Sequence, residues 1–268
     1  MRFQAILVFI LTLLFKKALS LEIKTDSGLN FKVSEDTGVY DIQYGNIYLQ
    51  SGTTAFSSDQ EWFENLKGNL VLKSTESFQS FDQLGEYQGI VQSWKTTKEN
   101  DDDQELYQTI FRIYENWIIF DQIFPSESLD STSTEMDFVT SSFPSFKMEE
   151  AETASHPLGY LSYYGNMACP KGRMICTQTG VWGDKDSNNF KGGMAGGVPL
   201  VLFDSSLSTT AVLSPFSNFM VTSQSPTDDG EELWCGVMGS VEEIPSSFSV
   251  FYLLLFCLFF TFNLHVIS

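Results

Sequence analysis

A short acidic stretch has the residue types and spacing of a calcium-binding loop. Asp184, Asp186 and Asn188 alternate with other residues, as the first three oxygen ligands of such a loop do. The remainder of the pattern is absent, because Asn189 stands where the loop needs glycine and Ala195 where it needs a bidentate glutamate. The stretch therefore predicts an irregular calcium site, with a metal-free polar loop as the alternative. No other cofactor is expected.

A glycine cluster follows, formed by Gly192, Gly193, Gly196 and Gly197. No Gly-Lys-Ser/Thr sequence comes after it, and an apolar strand-like run comes next rather than a helix. The cluster is therefore neither a phosphate-binding loop nor a dinucleotide fingerprint. We interpret it as a turn or bulge, or as a surface where the backbone lies close to a ligand or a neighbouring domain.

Histidines that could take part in hydrolysis are few, and acidic residues are too numerous for the sequence to single out a catalytic pair. The chain has 2 His, so a His-based metal cluster is excluded and a Ser-His-Asp triad would need His156, which lies in a turn-like context. Its 34 acidic residues allow many carboxylate pairs, and the sequence selects none of them. No catalytic residue is predicted. Four tryptophans are candidates for stacking on sugar rings or for core positions: Trp62, Trp94, Trp182 and Trp234.

The cysteines allow a disulfide in an oxidising compartment. Cys169 and Cys176 lie close enough in sequence to close a short loop. Pairing of either one with Cys235 is an open alternative, and Cys257 belongs to the C-terminal apolar segment.

The elements that must position these residues read as strands. The chain is rich in aromatic residues, with 24 Phe, 10 Tyr and 5 Trp, which favour strands. Alternating residues over 105–124 and the apolar runs within 198–215 predict two β-hairpins. Only Asp59–Leu66 has a helical pattern. The predicted fold class is all-β, a large antiparallel β-sandwich of the supersandwich-like kind.

Both ends of the chain are apolar. Residues 1–20 predict a signal peptide cleaved after Ser20, since an apolar region is followed by the small residues Ala18 and Ser20, with an uncleaved anchor as the alternative. Residues 248–267 predict an apolar transmembrane helix or a GPI-attachment signal, and a chain end that is not native coding sequence is a third possibility. The body, 21–247, is then an extracytoplasmic domain of the secretory pathway, at the cell surface or another membrane, with the membrane as a partner through the tail.

The charge of the chain restricts its partners. The formal net charge is −19, and every acidic residue lies between Glu22 and Glu243. Such a surface repels phosphate backbones, so nucleic acid is excluded as a partner. Neutral ligands such as sugars are compatible with it, and so are cations.

Three segments resemble a known family: Gly192–Asp204, Ala211–Gln224 and Gly236–Phe248. They look like the non-catalytic N-terminal β-sandwich of eukaryotic glycosidase-like proteins related to α-galactosidases and raffinose synthases. The resemblance implies that a (β/α)₈ barrel with the catalytic acids follows the sandwich. Here the apolar tail begins after Ser247 instead, so no catalytic residue carries over.

These observations lead to three hypotheses. The first is a membrane-tethered, non-catalytic extracellular sandwich that binds carbohydrate or protein, including a partner domain. The second is a truncated fragment of a glycoside hydrolase whose catalytic barrel is missing. The third is a hydrolase that uses carboxylates within the sandwich itself.

Overall fold

The computed structural model describes residues 20–97, 107–125, 128–135, 138–148, 157–164, 176–184 and 199–258. Within these ranges every regular element is a strand. The strands are β1 (Ser20–Lys24), β2 (Asn30–Ser34), β3 (Tyr40–Tyr44), β4 (Ile47–Gln50), β5 (Ala55–Ser58), β6 (Glu61–Glu64), β7 (Leu70–Asp82), β8 (Gly85–Thr96), β9 (Tyr107–Ile113), β10 (Trp117–Ile123), β11 (Leu129–Asp130), β12 (Ser141–Ser142), β13 (Ser145–Lys147), β14 (Gly159–Tyr164), β15 (Cys176–Val181), β16 (Leu200–Phe203), β17 (Thr209–Pro215), β18 (Thr222–Pro226), β19 (Glu232–Val237), β20 (Glu243–Ile244) and β21 (Ser249–Leu258).

The strands form one large sheet and a layer of smaller sheets. The large sheet has nine strands in the order β15-β14-β16-β17-β21-β10-β9-β8-β7. The smaller sheets are β1-β2-β3-β4, β13-β19-β18, β12-β5-β6 and β11-β20. Neighbouring strands are antiparallel in both the large sheet and the four-stranded sheet. The predicted all-β, antiparallel sandwich is confirmed.

Aromatic side chains join the two layers. Phe31 and Tyr40 of the four-stranded sheet pack against Phe111 of β9, with ring centroids 4.8 and 5.0 Å apart. Each of these rings is at least 99% buried. Full burial of one such side chain contributes about 1.5–3 kcal/mol. The alternation along β9, where every second residue is buried, is the pattern expected of a sheet with one face on the core.

The C-terminal apolar segment differs from the prediction. Residues 249–258 form β21 in the centre of the large sheet, paired with β10 on one side and β17 on the other, so the apolar helix expected over 248–267 is wrong for this part. A continuous apolar run fits a helix or a deeply buried strand equally well by periodicity alone. Residues 259–268 lie outside the described ranges, as do residues 1–19 of the predicted signal peptide. Across the described ranges, no helix is long and apolar enough to cross a membrane.

The helical pattern over Asp59–Leu66 is also overruled. Strands β5 and β6 form a hairpin in which Ser58 pairs with Glu61 across a two-residue loop. The loop residues Asp59 and Gln60 both have positive φ, 53° and 61°. Positive φ at both central positions is the feature of a type I′ turn, whose twist matches the twist of the strands it joins. Asp-Gln is not a typical sequence for this turn, so the hairpin carried no recognisable signal.

The two hairpins predicted from alternation are present. Strands β9 and β10 form the first hairpin, in which Ile113 lies opposite Ile118 next to the turn. Strands β16 and β17 form the second, in which Leu200 lies opposite Leu213. The second hairpin is turned by a polar segment in which Asp204 accepts hydrogen bonds from the Ser208 N–H and hydroxyl. Both hairpins therefore lie in the large sheet, on either side of β21.

Candidate functional site

An aromatic groove forms where three short segments meet beside the small sheets. Trp62 comes from β6, Trp234 from β19, and Phe138 from the segment before β12. The Trp62 and Trp234 rings meet edge to face at 5.3 Å, and Phe138 lies 6.1 and 5.5 Å from them. These rings are part of a small apolar cluster of their own, separate from the main core. We call the space they line the tryptophan groove.

The tryptophan groove holds an oriented carboxylate. Glu232 Oε2 accepts a hydrogen bond from the Trp234 indole N–H at 2.7 Å and from the Thr53 backbone N–H at 2.8 Å. The backbone at Gly52 also lies close, since a Cβ added there would be 2.7 Å from the Glu232 carboxyl carbon. Glycine at position 52 is therefore what allows the carboxylate to lie against this strand end. The carboxylate has one orientation, fixed by two donors.

A second carboxylate also lines the groove. Glu64, at the end of β6, is buried and pairs with Lys67 at 2.5 Å. Its backbone N–H donates to Asn69 Oδ1 at 2.7 Å, which fixes the turn after the hairpin. The sequence allowed many acid pairs, and the fold brings Glu64 and Glu232 to one groove.

The groove has the dimensions of a small-ligand site. Its volume is about 360 Å³, within the range of about 300–1,000 Å³ that ligand pockets occupy. The remaining wall is the β18–β19 turn, which contributes polar and acidic side chains: Thr227, Asp228, Asp229 and Glu231. Planar rings beside hydrogen-bonding carboxylates match the two faces of a sugar, since the apolar C–H face stacks on a ring and the hydroxyls donate to oxygen acceptors.

The four tryptophans that the sequence offered for stacking divide into two pairs. Trp94 is buried in the sandwich, and its indole N–H donates to Thr109 Oγ1 at 2.9 Å. Trp182 is also buried, with its indole N–H bonded to the Lys147 carbonyl at 3.3 Å. The core interpretation is confirmed for these two. Trp234 is likewise buried, at 7% exposed, so the core interpretation holds for it as well, and it packs against the half-buried Trp62 at the groove.

The other predicted sites are only partly described. Asp184 ends a turn, with its N–H bonded to the Val181 carbonyl at 3.2 Å, whereas Asp186 and Asn188 lie outside the described ranges. Gly192, Gly193, Gly196 and Gly197 also lie outside them, as do Cys169 and His156. Among the described residues, no group of three or more His, Cys, Asp or Glu side chains could hold a metal ion.

The alternative disulfides through Cys235 are not formed. Cys235 is a free thiol, fully buried in β19, and burial raises its pKa far above the ordinary value. Cys176 opens β15, and its pairing with Cys169 stays a prediction because Cys169 is outside the described ranges.

A second charged cluster joins the tip of the β7–β8 hairpin to β9 and β10, its neighbours in the large sheet. Arg112 of β9 pairs with Asp121 of β10 at 2.9 Å and with Asp82 at 3.4 Å, and the Tyr114 hydroxyl donates to Asp82 at 2.6 Å. The bond from Tyr114 lowers the pKa of Asp82, whereas burial raises the pKa of Asp121 against the effect of Arg112. Both terminal nitrogens of Arg112 have carboxylate partners, although its Nε is buried without a hydrogen-bond partner, and we interpret the cluster as structural.

Comparison with known proteins gives a likeness in fold. No family model matches the chain, and no curated protein matches its sequence. Among solved structures, an α-N-acetylgalactosaminidase, NagBb from Bifidobacterium bifidum (a quadruple mutant), is similar over 89% of this chain with a TM-score of 0.52 and 7% identity. A putative aldose 1-epimerase from Escherichia coli K12 aligns over 90% of this chain and 100% of its own, with a TM-score of 0.41 and 9% identity.

The match covers most of this chain but only part of the NagBb chain. This chain spans 36% of the NagBb chain, so it corresponds in fold to one part of that protein. At 7% identity the likeness supports the β-sandwich architecture, and no residue of NagBb can be carried over to this sequence.

Proposed function

We propose that this protein is a carbohydrate-binding β-sandwich without catalytic activity, and that the tryptophan groove is its binding site. The observation that carries the proposal is the meeting of Trp62, Phe138 and Trp234 beside the fixed Glu232 carboxylate. The resemblance of three sequence segments to the accessory sandwich of glycosidases supports it. The overall acidic charge favours uncharged sugars over sulfated or uronic ones, because like charges repel.

The proposal is tested by glycan-array binding of the full chain, followed by calorimetry with the best neutral oligosaccharide. Trp62→Ala removes a half-buried ring from the groove and is expected to weaken binding at least about tenfold, equivalent to about 1.4 kcal/mol. Tyr48→Ala is the matched control, because Tyr48 is a 49% exposed aromatic side chain on β4 and does not line the groove. A silent array, or equal affinity for both variants, contradicts the proposal.

A second candidate is that this sandwich works as the accessory domain of a longer glycoside hydrolase. The observation favouring it is the coverage of 36% of NagBb by 89% of this chain. Sequencing of the transcript beyond the codon for Pro245 tests it. A reading frame that continues into alternating strand and helix patterns supports a hydrolase, and one that ends as the present sequence does contradicts it.

We also propose that the protein enters the secretory pathway. The apolar region before Ala18 and Ser20 supports this. N-terminal sequencing of the protein recovered from expressing cells tests the proposal. A mature chain that starts at Leu21 supports cleavage after Ser20, and an intact Met1 in the membrane fraction supports an uncleaved anchor. An intact Met1 in the cytosolic fraction contradicts the proposal.

A further inference from the structure

The four-stranded sheet stops short of the edge of the large sheet that it covers. Within the described ranges its outermost strand, β1, pairs on one side only, with β2. Opposite it, the inner face of β8 is buried at Ile90, half-buried at Gln88 and exposed at Glu86. The inner face of β7 is exposed in the same region, and Phe81 near its tip is 79% exposed. Among the residues that the structure describes, no strand of the smaller layer lies above the outer half of the β7–β8 hairpin.

That missing strand position is a continuous groove. Two adjoining cavities of about 550 and 300 Å³ share Gln79 and Gln88 in their linings. One wall is β1 together with the turn that follows it, and the other is the β7–β8 hairpin. The Thr25 hydroxyl donates to the Glu115 carbonyl at 2.7 Å, which joins the β1–β2 turn to the β9–β10 turn beside the wider cavity. We call this space the edge groove.

The backbone along one side of the edge groove favours a peptide as the occupant. The outer edge of a terminal strand presents unpaired N–H and C=O groups, which are a template for another extended chain. β1 has five residues, with the charged Glu22 and Lys24 exposed, features that discourage open sheet-to-sheet association. A sugar would use the side chains and leave this backbone edge unpaired.

The side chains define which peptide fits. The accessible apolar surface comes from Phe81 and the half-buried Leu21, whereas Ile90 and Ile113 lie beneath the floor and are themselves buried. The wider cavity has carboxylates at Asp26, Glu86 and Glu115. Lys24 also lines it, but this side chain pairs with Glu22 at 3.0 Å. An extended segment that alternates apolar and basic residues would place one set on the floor and the other towards the carboxylates.

We propose that the edge groove binds an extended peptide of alternating apolar and basic residues, which adds to the free edge of β1 as a fifth strand. Backbone hydrogen bonds to β1 supply affinity, and the alternating side chains supply selectivity. The proposal uses residues outside the tryptophan groove, so it holds or fails independently of carbohydrate binding.

The test uses the full chain and a labelled octapeptide of alternating Val and Lys, measured by fluorescence anisotropy. Two N-methylated versions carry the methyl groups on the odd or on the even residues. The N–H groups of successive strand residues point to opposite edges, so one version is expected to lose binding at least tenfold and the other to retain it. Equal loss in both versions, or in neither, overturns the proposal, because general attraction to an acidic protein does not depend on which edge is blocked.

A variant and an exchange measurement locate the binding. Gln79→Trp fills the position shared by the two cavities and is expected to weaken binding at least tenfold, whereas Gln108→Trp, on the outer face of β9, leaves it unchanged. Hydrogen exchange of the amides in residues 20–24 is expected to slow when the octapeptide is bound. No slowing at β1, or slowing by a neutral oligosaccharide with none by the peptide, overturns the proposal.

Discussion

At the scale of single residues, Asp204 shows how one side chain connects two turns. Asp204 follows β16, is 2% exposed, and accepts hydrogen bonds from Asn46 Nδ2 at 2.8 Å and from the Ser208 N–H at 2.8 Å. Asn46 belongs to the β3–β4 turn, so the carboxylate joins the four-stranded sheet to the large one. Burial alone would raise the pKa of Asp204, but the bonds from Ser208, Asn46 and Ser206 hold it far below the ordinary range.

Asp204→Asn is expected to lower the free energy of unfolding by about 1–3 kcal/mol at neutral pH, because it replaces an acceptor with a partial donor among buried donors. A carboxyl whose pKa is lowered by folding stabilises the fold above its unfolded pKa, about 3.9, and this contribution is lost as the pH falls towards the folded value. As the pH falls below about 4, the free energy of unfolding should therefore decrease less for the variant than for the wild type.

Urea unfolding at a series of pH values measures this difference. Ser206→Ala is a suitable control, since its hydroxyl is one of several donors to Asp204 and its loss leaves the others in place. Parallel pH curves for wild type and Asp204→Asn would contradict the assignment.

At the scale of elements, β21 decides what the C-terminal segment does. Val250, Tyr252, Leu254 and Phe256 are buried on the core side. The alternate residues face the other side and are half-buried, and Arg112 lies over the Phe251 ring with Cζ 5.3 Å from its centre. In a strand at this position, adjacent residues face opposite sides of the sheet and differ in burial, whereas in a membrane helix adjacent residues would all face lipid.

Leu254→Lys is expected to destabilise the protein by at least about 3 kcal/mol, because it places an unpaired charge in the core. Leu253→Lys is expected to cost much less, because a lysine on the half-exposed face can extend its ammonium group to water. Thermal unfolding of both variants measures the difference. Equal effects of the two substitutions would contradict the strand.

At the scale of the whole molecule, the sandwich depends on contacts between distant parts of the chain. β21 fills the space between β10 and β17, so residues 249–258 complete a sheet whose other strands begin at residue 70. A GPI-attachment signal is removed during processing. Removal of residues 249–258 would leave β10 and β17 each with an unpaired edge and would expose one side of the core.

A chain that ends at Phe248 is therefore expected not to fold into the cooperative sandwich. Circular dichroism, and dispersion of the amide signals in an NMR spectrum, compare it with the full chain. Retention of a cooperative thermal transition in the shortened chain would show that β21 is dispensable for the fold.

Some features of the fold were readable from sequence because they depend on local chemistry. The alternation over 105–124 predicted β9 and β10, and the apolar runs with a polar turn predicted β16 and β17. The tryptophan groove was only half predictable. Trp62 and Trp234 were among the candidate tryptophans, but Glu232, Gly52 and Phe138 join them through hairpins that are far apart in sequence.

The sequence by itself determined the all-β class and the acidic surface, since aromatic content, alternation and charge are properties of residues and their immediate neighbours. The tertiary structure decided the roles of ambiguous segments. An apolar run such as Ser249–Leu258 suits a lipid-facing helix and a central strand alike, and only the vacancy between β10 and β17 selects the strand. The same holds for the grooves, because a ring or a free strand edge becomes a candidate site only when distant elements enclose the space beside it.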